Sequence, residues 1–483
     1  MPTPQLALSF AALALAATSA AASPLAARRS PAPASLGARS AAAEPQVLKV
    51  PIRKRSGEQH RRRDGEAYRL RASAMRNKYG GVSPSQFKSS SSSNSTAGKK
   101  RQNSLEMTSY QDSQWYGEID VGTPPTAFSV VLDTGSSDLI LAETGCNGCL
   151  SSTVEYDPNT SSTSSISQSS FSITYGSGAA SGSLVSDTIS IANYTQDNQI
   201  FAACDVMQNI VDGTISGILG LGWTPLAQSR ATPLVQDLWE SGALPEGVFG
   251  FAFETHTFTT ASEPTAPGGT LTIGGVDTSA YSGEINWVNV VGTPSYWNIP
   301  LEGVSVGGRA LSLTDDAVVI DTGTTLIGMP ESAAQTVYDQ VPNSTPYTLS
   351  GEDGYWAFPC EQTINVTMTF GGVEYPIDPE QFNAGSVDSR GRYCLGAIFA
   401  LETTSTISII VGDAFLTGVY NAYRFTDPPA VGFAQLGSGG SANTGSDSAS
   451  RTGGNGAAGV KQAGGLAGGA VALAATVAAL VFA

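Results

Sequence analysis

Histidine is almost missing from this 483-residue chain, which has only two, and just one of them, His256, falls after residue 101. Ser-His-Asp and Cys-His nucleophiles need a histidine base. His256 sits in the threonine-rich stretch 254–260, which reads as a hairpin or loop, so nothing nominates it for that task. Cysteine is sparse as well, at five residues. Cys146-Asn147-Gly148-Cys149 has the outline of a redox or zinc motif, but no second Cys/His pair follows at metal-ligand spacing, so neither a metal nor a cofactor is expected.

Basic residues are scarce where most of the chain lies. Of the 25 Lys and Arg, 18 fall in residues 1–101, and the rest of the chain carries 7 against 37 acidic residues, a balance of −30. A body so poor in bases has few salt bridges to lose in acid, and protonating its carboxylates relieves self-repulsion. It suits an acidic medium, and the same charge keeps it soluble. The basic N-terminal stretch could in isolation be a nucleic-acid or membrane patch, but a secretory signal before it and an acidic body after it argue against nucleic acid.

Long apolar runs are confined to the two ends. Residues 6–17 are apolar but too short to span a bilayer, and Ala20-Ala21-Ala22 follows, so 1–22 reads as a secretory signal peptide that lacks the usual charged start. At the far end, Asn455-Gly456-Ala457, an eight-residue spacer at 458–465 and an apolar tail at 466–483 fit a GPI-anchoring signal behind a Gly/Ser/Ala-rich stalk at 436–465. The competing reading is a plain transmembrane helix, disfavoured because the tail is rich in Ala and Gly and no basic residue follows it. Either way the expected location is the secretory pathway and then the cell surface, at membrane or wall, with a shed form.

What the chain has in quantity is glycine, 54 residues, together with many Ser, Thr, Val and Ile, a composition of turns and strands. The fold class expected is all-β, with length enough for two substantial domains. Two stretches look helical: 233–241, with Leu234 and Leu238 on one face, and 330–340, each with a proline suited to the first turn.

Two segments repeat one another. Val130-Val131-Leu132-Asp133-Thr134-Gly135-Ser136 and Val318-Val319-Ile320-Asp321-Thr322-Gly323-Thr324 place their aspartates 188 residues apart. Each reads as a buried strand ending in a turn where glycine permits a tight backbone and hydroxyls can fix a carboxylate. If the two halves pack about a pseudo-twofold axis the carboxylates meet, and two adjacent carboxylates share a proton, one pKa rising and the other falling. A single Asp-Thr-Gly is more often a surface turn; its repetition is what carries the argument.

Over about residues 48–435 the chain resembles the pepsin family of aspartic endopeptidases. Trp115-Tyr116-Gly117 through Gly122-Thr123-Pro124-Pro125 is similar to the opening hairpin, and Ile173-Thr174-Tyr175-Gly176-Ser177-Gly178 to the flap. Ser216-Gly217-Ile218-Leu219-Gly220-Leu221-Gly222 and Ile410-Val411-Gly412-Asp413 resemble the apolar-Gly stretches beneath the aspartates. The resemblance implies a bilobal fold of two pseudo-twofold-related β-barrel-like lobes, at 102–278 and 279–435, with the active site in the cleft between them. It implies catalysis by Asp133 and Asp321, which activate a water without a covalent acyl-enzyme. Thr134, Gly135, Ser136, Thr322, Gly323 and Thr324 would support them, with Ser136 and Thr324 bonding the outer carboxylate oxygens and Thr134 and Thr322 tying the loops across the axis. Tyr175, Gly176 and Ser177 would form the flap over substrate.

The same resemblance makes 23–101 a basic propeptide. Val47 to Arg55 is similar to the start of pepsinogen-type prosegments and Arg76-Asn77-Lys78-Tyr79-Gly80 to their Lys-Tyr element, with Lys78 as plug between the aspartates. A Ser-rich linker at 83–95 then leads to the basic processing site Lys99-Lys100-Arg101. Disulfides Cys146–Cys149 and Cys360–Cys394 are implied, leaving Cys204 over, and sequons at Asn159, Asn193, Asn343 and Asn365 fit a glycosylated surface. The partners expected are protein and peptide substrates, the chain's own propeptide and the membrane; the chain is expected to act as a monomer.

Three positions depart from the pattern: Ile140 where many relatives have tryptophan, Ser216 where many have aspartate, and Ser177 where some fungal relatives place an acid that receives a lysine. GPI-anchored fungal relatives of the yapsin type favour basic residues before the scissile bond, so basic and hydrophobic preferences both stay open. A glycosidase also uses two carboxylates, though not on matched Asp-Thr-Gly turns. A non-catalytic, wall-binding version of the fold usually loses an aspartate, its glycine or the flap, and this chain keeps all three.

Overall fold

A computed structural model of the chain describes residues 48–55, 65–82 and 115–437, apart from 176–177, 212, 256–264, 314, 389 and 404–406. The expectations for the signal peptide, the linker, Lys99-Lys100-Arg101, nearly all of the stalk, the C-terminal tail, Gly176, Ser177 and His256 lie outside these residues.

The duplication seen in the sequence is a duplication of topology. In the first half the aspartate strand Thr126–Asp133 runs parallel to Gly217–Gly220, which pairs antiparallel with Leu139–Asn147, itself parallel to Tyr194–Gln208. In the second half Asp315–Ile320 runs parallel to Ile409–Val411, which pairs antiparallel with Ile327–Met329, itself parallel to Ile398–Ala400. In each half a strand from a distant part of the chain lies beside the aspartate strand and holds it on its second edge. Val130, Leu132, Val318, Val319 and Ile320 are buried, as an apolar β-branched run between two neighbours requires.

Strands from both halves meet in one 13-stranded sheet, in which Tyr281–Asn289, Val419–Arg424 and Ala430–Leu436 continue the order of the first half's strands. Val248–Phe253 lies inside it, and Phe249, Phe251 and Phe253 are all buried. Phe249 stacks on Tyr423 at 4.9 Å, so an aromatic layer joins the two halves. The basic N-terminal arm enters this sheet as well: Leu48–Arg55 pairs antiparallel with Thr265–Ile273 over eight residues and touches Trp115–Val121 at its end.

The two expected helices are present as Leu234–Glu240 and Glu331–Tyr338, each preceded by its proline. The expectation of only two was incomplete, because the arm also contains the 14-residue helix Gly65–Lys78. Its buried apolar positions, Tyr68, Ala72 and Met75, follow the helical period, but one is only an alanine and arginines lie between them. The apolar stripe is too thin to stand out in the sequence. Four-residue helices at Pro379–Phe382 and Asp413–Leu416 are likewise too short to announce themselves.

Candidate active site

Both aspartates are buried, Asp133 at 2% and Asp321 at 0% exposure, each at the end of its strand. Local donors fix each carboxylate in the same way. Asp133 accepts from the Gly135 N–H at 2.9 Å and the Ser136 hydroxyl at 2.6 Å. Asp321 accepts from the Gly323 N–H at 2.8 Å and from the Thr324 hydroxyl.

The loops are tied to each other by their threonines. The Thr134 N–H donates to Thr322 Oγ1 at 3.1 Å and the Thr322 N–H to Thr134 Oγ1 at 3.0 Å. Each hydroxyl then donates to a carbonyl of the opposite strand, Thr134 to Ile320 at 3.0 Å and Thr322 to Leu132 at 2.7 Å. All four bonds are buried, where a hydrogen bond is strongest and its loss most costly.

The two glycines have a role other than turn geometry. Neither has a positive φ. A Cβ on Gly135 would lie 2.5 Å from the Asp321 carboxyl carbon, and one on Gly323 would lie 2.2 Å from Asp133 Oδ1. Each glycine is the flat surface against which the opposite carboxylate packs. Gly412 does similar work beneath, where a Cβ would meet the Thr324 carbonyl at 2.1 Å.

Lys78 lies at the centre of this arrangement. Its ammonium donates to Asp133 Oδ1 at 2.8 Å and to Asp321 Oδ2 at 2.9 Å and Oδ1 at 3.1 Å. The Tyr79 hydroxyl donates to Asp321 Oδ2 at 2.8 Å. Burial works against the lysine's charge, but Asp133 and Asp321 overcome it and raise its pKa. Burial raises Asp133 above the usual carboxylate range despite Lys78, whereas on Asp321 the pull of Lys78 and the bonds from Asp133 and Thr324 outweigh burial and hold it below. One carboxylate is thus poised to hold a proton and the other to go without.

Tyr175 follows the strand Ser165–Thr174, which pairs with Ala179–Ile191 as a hairpin closed by the Tyr175 N–H to the Gly178 carbonyl at 2.7 Å. The residue is 5% exposed, and its hydroxyl finds no hydrogen-bond partner among the described residues. Ile140, Cys204 and Met207 share its apolar cluster, and none offers the ring N–H that a tryptophan at 140 would present. Ser216 Oγ is also buried without a partner among the described residues.

Cys146–Cys149 and Cys360–Cys394 are disulfide-bonded and Cys204 is a buried free thiol. Asn159, Asn193, Asn343 and Asn365 are all exposed. Sequence reasoning named Tyr79 only as a neighbour of Lys78 and missed its bond to Asp321. It also missed the anchoring of Arg76 by Glu352, at 3.0 Å, because the acid lies 276 residues away in no recognisable motif.

Residues 114–436 match the family model described as eukaryotic aspartyl protease. Among relatives, the chain is 36% identical to major aspartyl peptidase 1 of Cryptococcus neoformans var. grubii, covering 70% of this chain and 71% of that one. It is 34% identical to an aspartic protease of Phaffia rhodozyma, covering 67% and 76%. It is 28% identical to pepsin A of Sus scrofa, covering 66% and 80%. The paired aspartate loops and this similarity agree: the chain belongs to the pepsin-like eukaryotic aspartyl proteases, and it is an aspartic-type endopeptidase.

Proposed function

We propose that the chain is made as an inactive precursor that enters the secretory pathway, is held at the cell surface by a GPI anchor, and cleaves proteins and peptides in acid through Asp133 and Asp321 once the arm at 23–101 has left. The observation that carries this reading is the Lys78 ammonium, bound between the two buried carboxylates at 2.8 and 2.9 Å. A cation there makes a pair of buried carboxylates tolerable at neutral pH and fills the place where a peptide carbonyl must sit.

With the arm gone, the dyad holds one proton. The ionised aspartate takes a proton from a water between the pair while that water's oxygen bonds to the scissile carbonyl carbon, and the protonated aspartate gives its proton to the carbonyl oxygen. The tetrahedral diol collapses as the aspartate that took the water's proton gives it to the amide nitrogen, the other takes a proton from a diol hydroxyl and the C–N bond breaks, which leaves the dyad singly protonated again. The threonine bonds across the axis keep the carboxylates in place without reorganisation.

The test is to purify the full chain at neutral pH, acidify it, and follow peptide cleavage and loss of the arm together. Activity should appear in acid only and should be blocked by pepstatin, which mimics the diol, but not by chelators or serine-protease reagents. Activity at neutral pH with the arm still attached would contradict the precursor reading. Release from membranes by phosphatidylinositol-specific phospholipase separates a GPI anchor from a transmembrane tail.

A further inference from the structure

Two residues before the plug lysine, Arg76 is buried in the wall of the second half. Its Nη1 donates to Glu352 Oε2 at 3.0 Å and to the Tyr355 hydroxyl at 2.7 Å, and its Nη2 donates to the carbonyls of Asp353 at 3.3 Å and Ala400 at 3.1 Å. The guanidinium carbon lies 5.0 Å from the Tyr355 ring centre and 5.1 Å from that of Phe399. The other Glu352 oxygen accepts from Arg69 at 3.1 Å.

Every group of this seat belongs to the protease body and none to the arm. Glu352 and Tyr355 lie on the strand Glu352–Pro359, and Phe399 and Ala400 on Ile398–Ala400, which shares a five-stranded sheet with the Asp321 strand. All of these groups stay with the body when the arm departs, and two of them are in the sheet of the Asp321 strand. The seat offers acceptors and two aromatic faces, spread to meet both terminal nitrogens of a planar cation, and its one hydroxyl, that of Tyr355, donates to Glu352 Oε2 at 3.1 Å. That set fits arginine, whereas a lysine would meet it with a single point charge.

We infer that Glu352, Tyr355 and Phe399 form a subsite of the active protease that selects an arginine side chain of the peptide substrate. The inference rests on the proteolytic reading of Asp133 and Asp321. Arg76 and Lys78 are two residues apart on one helix, about 3 Å along its axis and about 200° around it, so their charged ends are separated by the reach of two long side chains that leave opposite sides of the helix. The seat is thus within reach of an extended peptide whose scissile bond lies at the aspartates, a few residues away at roughly 3.3 Å each. In the precursor the arm uses the same seat, so Arg76 occupies a place that substrate takes later.

The experiment compares the acid-activated full chain with its Glu352→Gln and Glu352→Asp variants on peptides randomised around the scissile bond. The best arginine peptide is then remade with citrulline, which keeps the shape and loses the charge. Arginine should be enriched at one position, citrulline should lower kcat/KM roughly tenfold, mainly through KM, and Glu352→Gln should shrink the ratio of the arginine to the citrulline peptide toward one. Glu352→Asp, which keeps the charge, should fall between. Cleavage with no arginine preference at any position, or a preference that survives Glu352→Gln, would overturn the subsite and leave the protease intact. No cleavage of any peptide by the wild type would overturn the protease reading and the subsite with it.

Discussion

The two aspartate loops are alike in backbone and unlike in occupancy. Each carboxylate takes one N–H from the glycine two residues on and one hydroxyl from the residue after that. The arm then breaks the symmetry. Asp321 meets the Lys78 ammonium through both oxygens and accepts from Tyr79, while Asp133 meets the ammonium through one oxygen and receives nothing from Tyr79 among the described contacts. Burial raises Asp133, whereas Lys78 and the bonds from Asp133 and Thr324 hold Asp321 down against burial. The difference teaches that the protease body supplies a matched pair of loops and that the arm, which bonds Asp321 through both Lys78 and Tyr79, makes the two carboxylates unequal.

The strongest way to break the comparison is to remove one carboxylate at a time. Asp133→Asn and Asp321→Asn should each lower kcat by at least about a thousandfold, because the pair acts as one proton-sharing unit and either half alone is useless. Thermal unfolding should show both variants folded. Substantial activity in either one would end the case for a dyad.

Next come the glycines. A methyl at 135 must displace the Asp321 carboxylate, 2.5 Å away, and one at 323 must displace Asp133, 2.2 Å away. Gly135→Ala and Gly323→Ala should therefore cost similar amounts, on the order of a hundredfold in kcat, the penalty of moving a catalytic group by about 1 Å. A large effect at one position and none at the other would mean that the loops are not equivalent in the active state.

A smaller effect concerns release of the arm by acid. Asp321 is held below the usual carboxylate range, so its pairing with Lys78 is fully present above about pH 4 and is lost as the pH falls through that lowered value. Asp133, raised by burial, takes up its proton at a higher pH and loosens first. In a precursor whose Lys99-Lys100-Arg101 has been changed to prevent cutting, Lys78→Ala should weaken docking of the arm by about 3 kcal/mol and raise activity near neutral pH. Identical pH profiles for the two precursors would show that Lys78 is not the plug.

Much of the site was legible because it is local. Asp133, Gly135 and Ser136 are near neighbours in the chain, as are Asp321, Gly323 and Thr324, so their mutual bonds follow from the motif itself. The passing strands at 217–220 and 409–411 could be recognised by their apolar-Gly pattern, and the prolines marked the starts of the helices at 234 and 331. What stayed hidden depends on contacts between distant segments. That Gly135 is needed because Asp321 packs on it cannot be read from either loop, nor can the seat of Arg76 on Glu352. The helix Gly65–Lys78 stayed hidden because Tyr68, Ala72 and Met75 make too thin an apolar stripe, while much of its hold on the body comes from polar contacts such as the Tyr68 hydroxyl to the Gly396 carbonyl.

The finest probe of the comparison is a pair of tyrosines, Tyr79 on the Asp321 side and Tyr175 on the hairpin, 4% and 5% exposed. The Tyr79 hydroxyl donates to Asp321, whereas that of Tyr175 has no partner among the described residues. Removing a buried hydroxyl that bonds a charged group costs about 1.5–3 kcal/mol, while removing one that bonds nothing is neutral or mildly favourable. At neutral pH, Tyr79→Phe should therefore destabilise the intact precursor by about 2 kcal/mol in chemical denaturation, and Tyr175→Phe should leave it within roughly 0.5 kcal/mol. After acid activation the order should change. In the proposed activation Tyr79 leaves with the arm, so its variant should cleave at the wild-type rate, and any change in KM should belong to Tyr175→Phe, whose ring stays with the body. A loss above about 1 kcal/mol in Tyr175→Phe would show that its hydroxyl is bonded after all, and that the Asp133 loop has a partner in the hairpin matching the one that Tyr79 provides to Asp321.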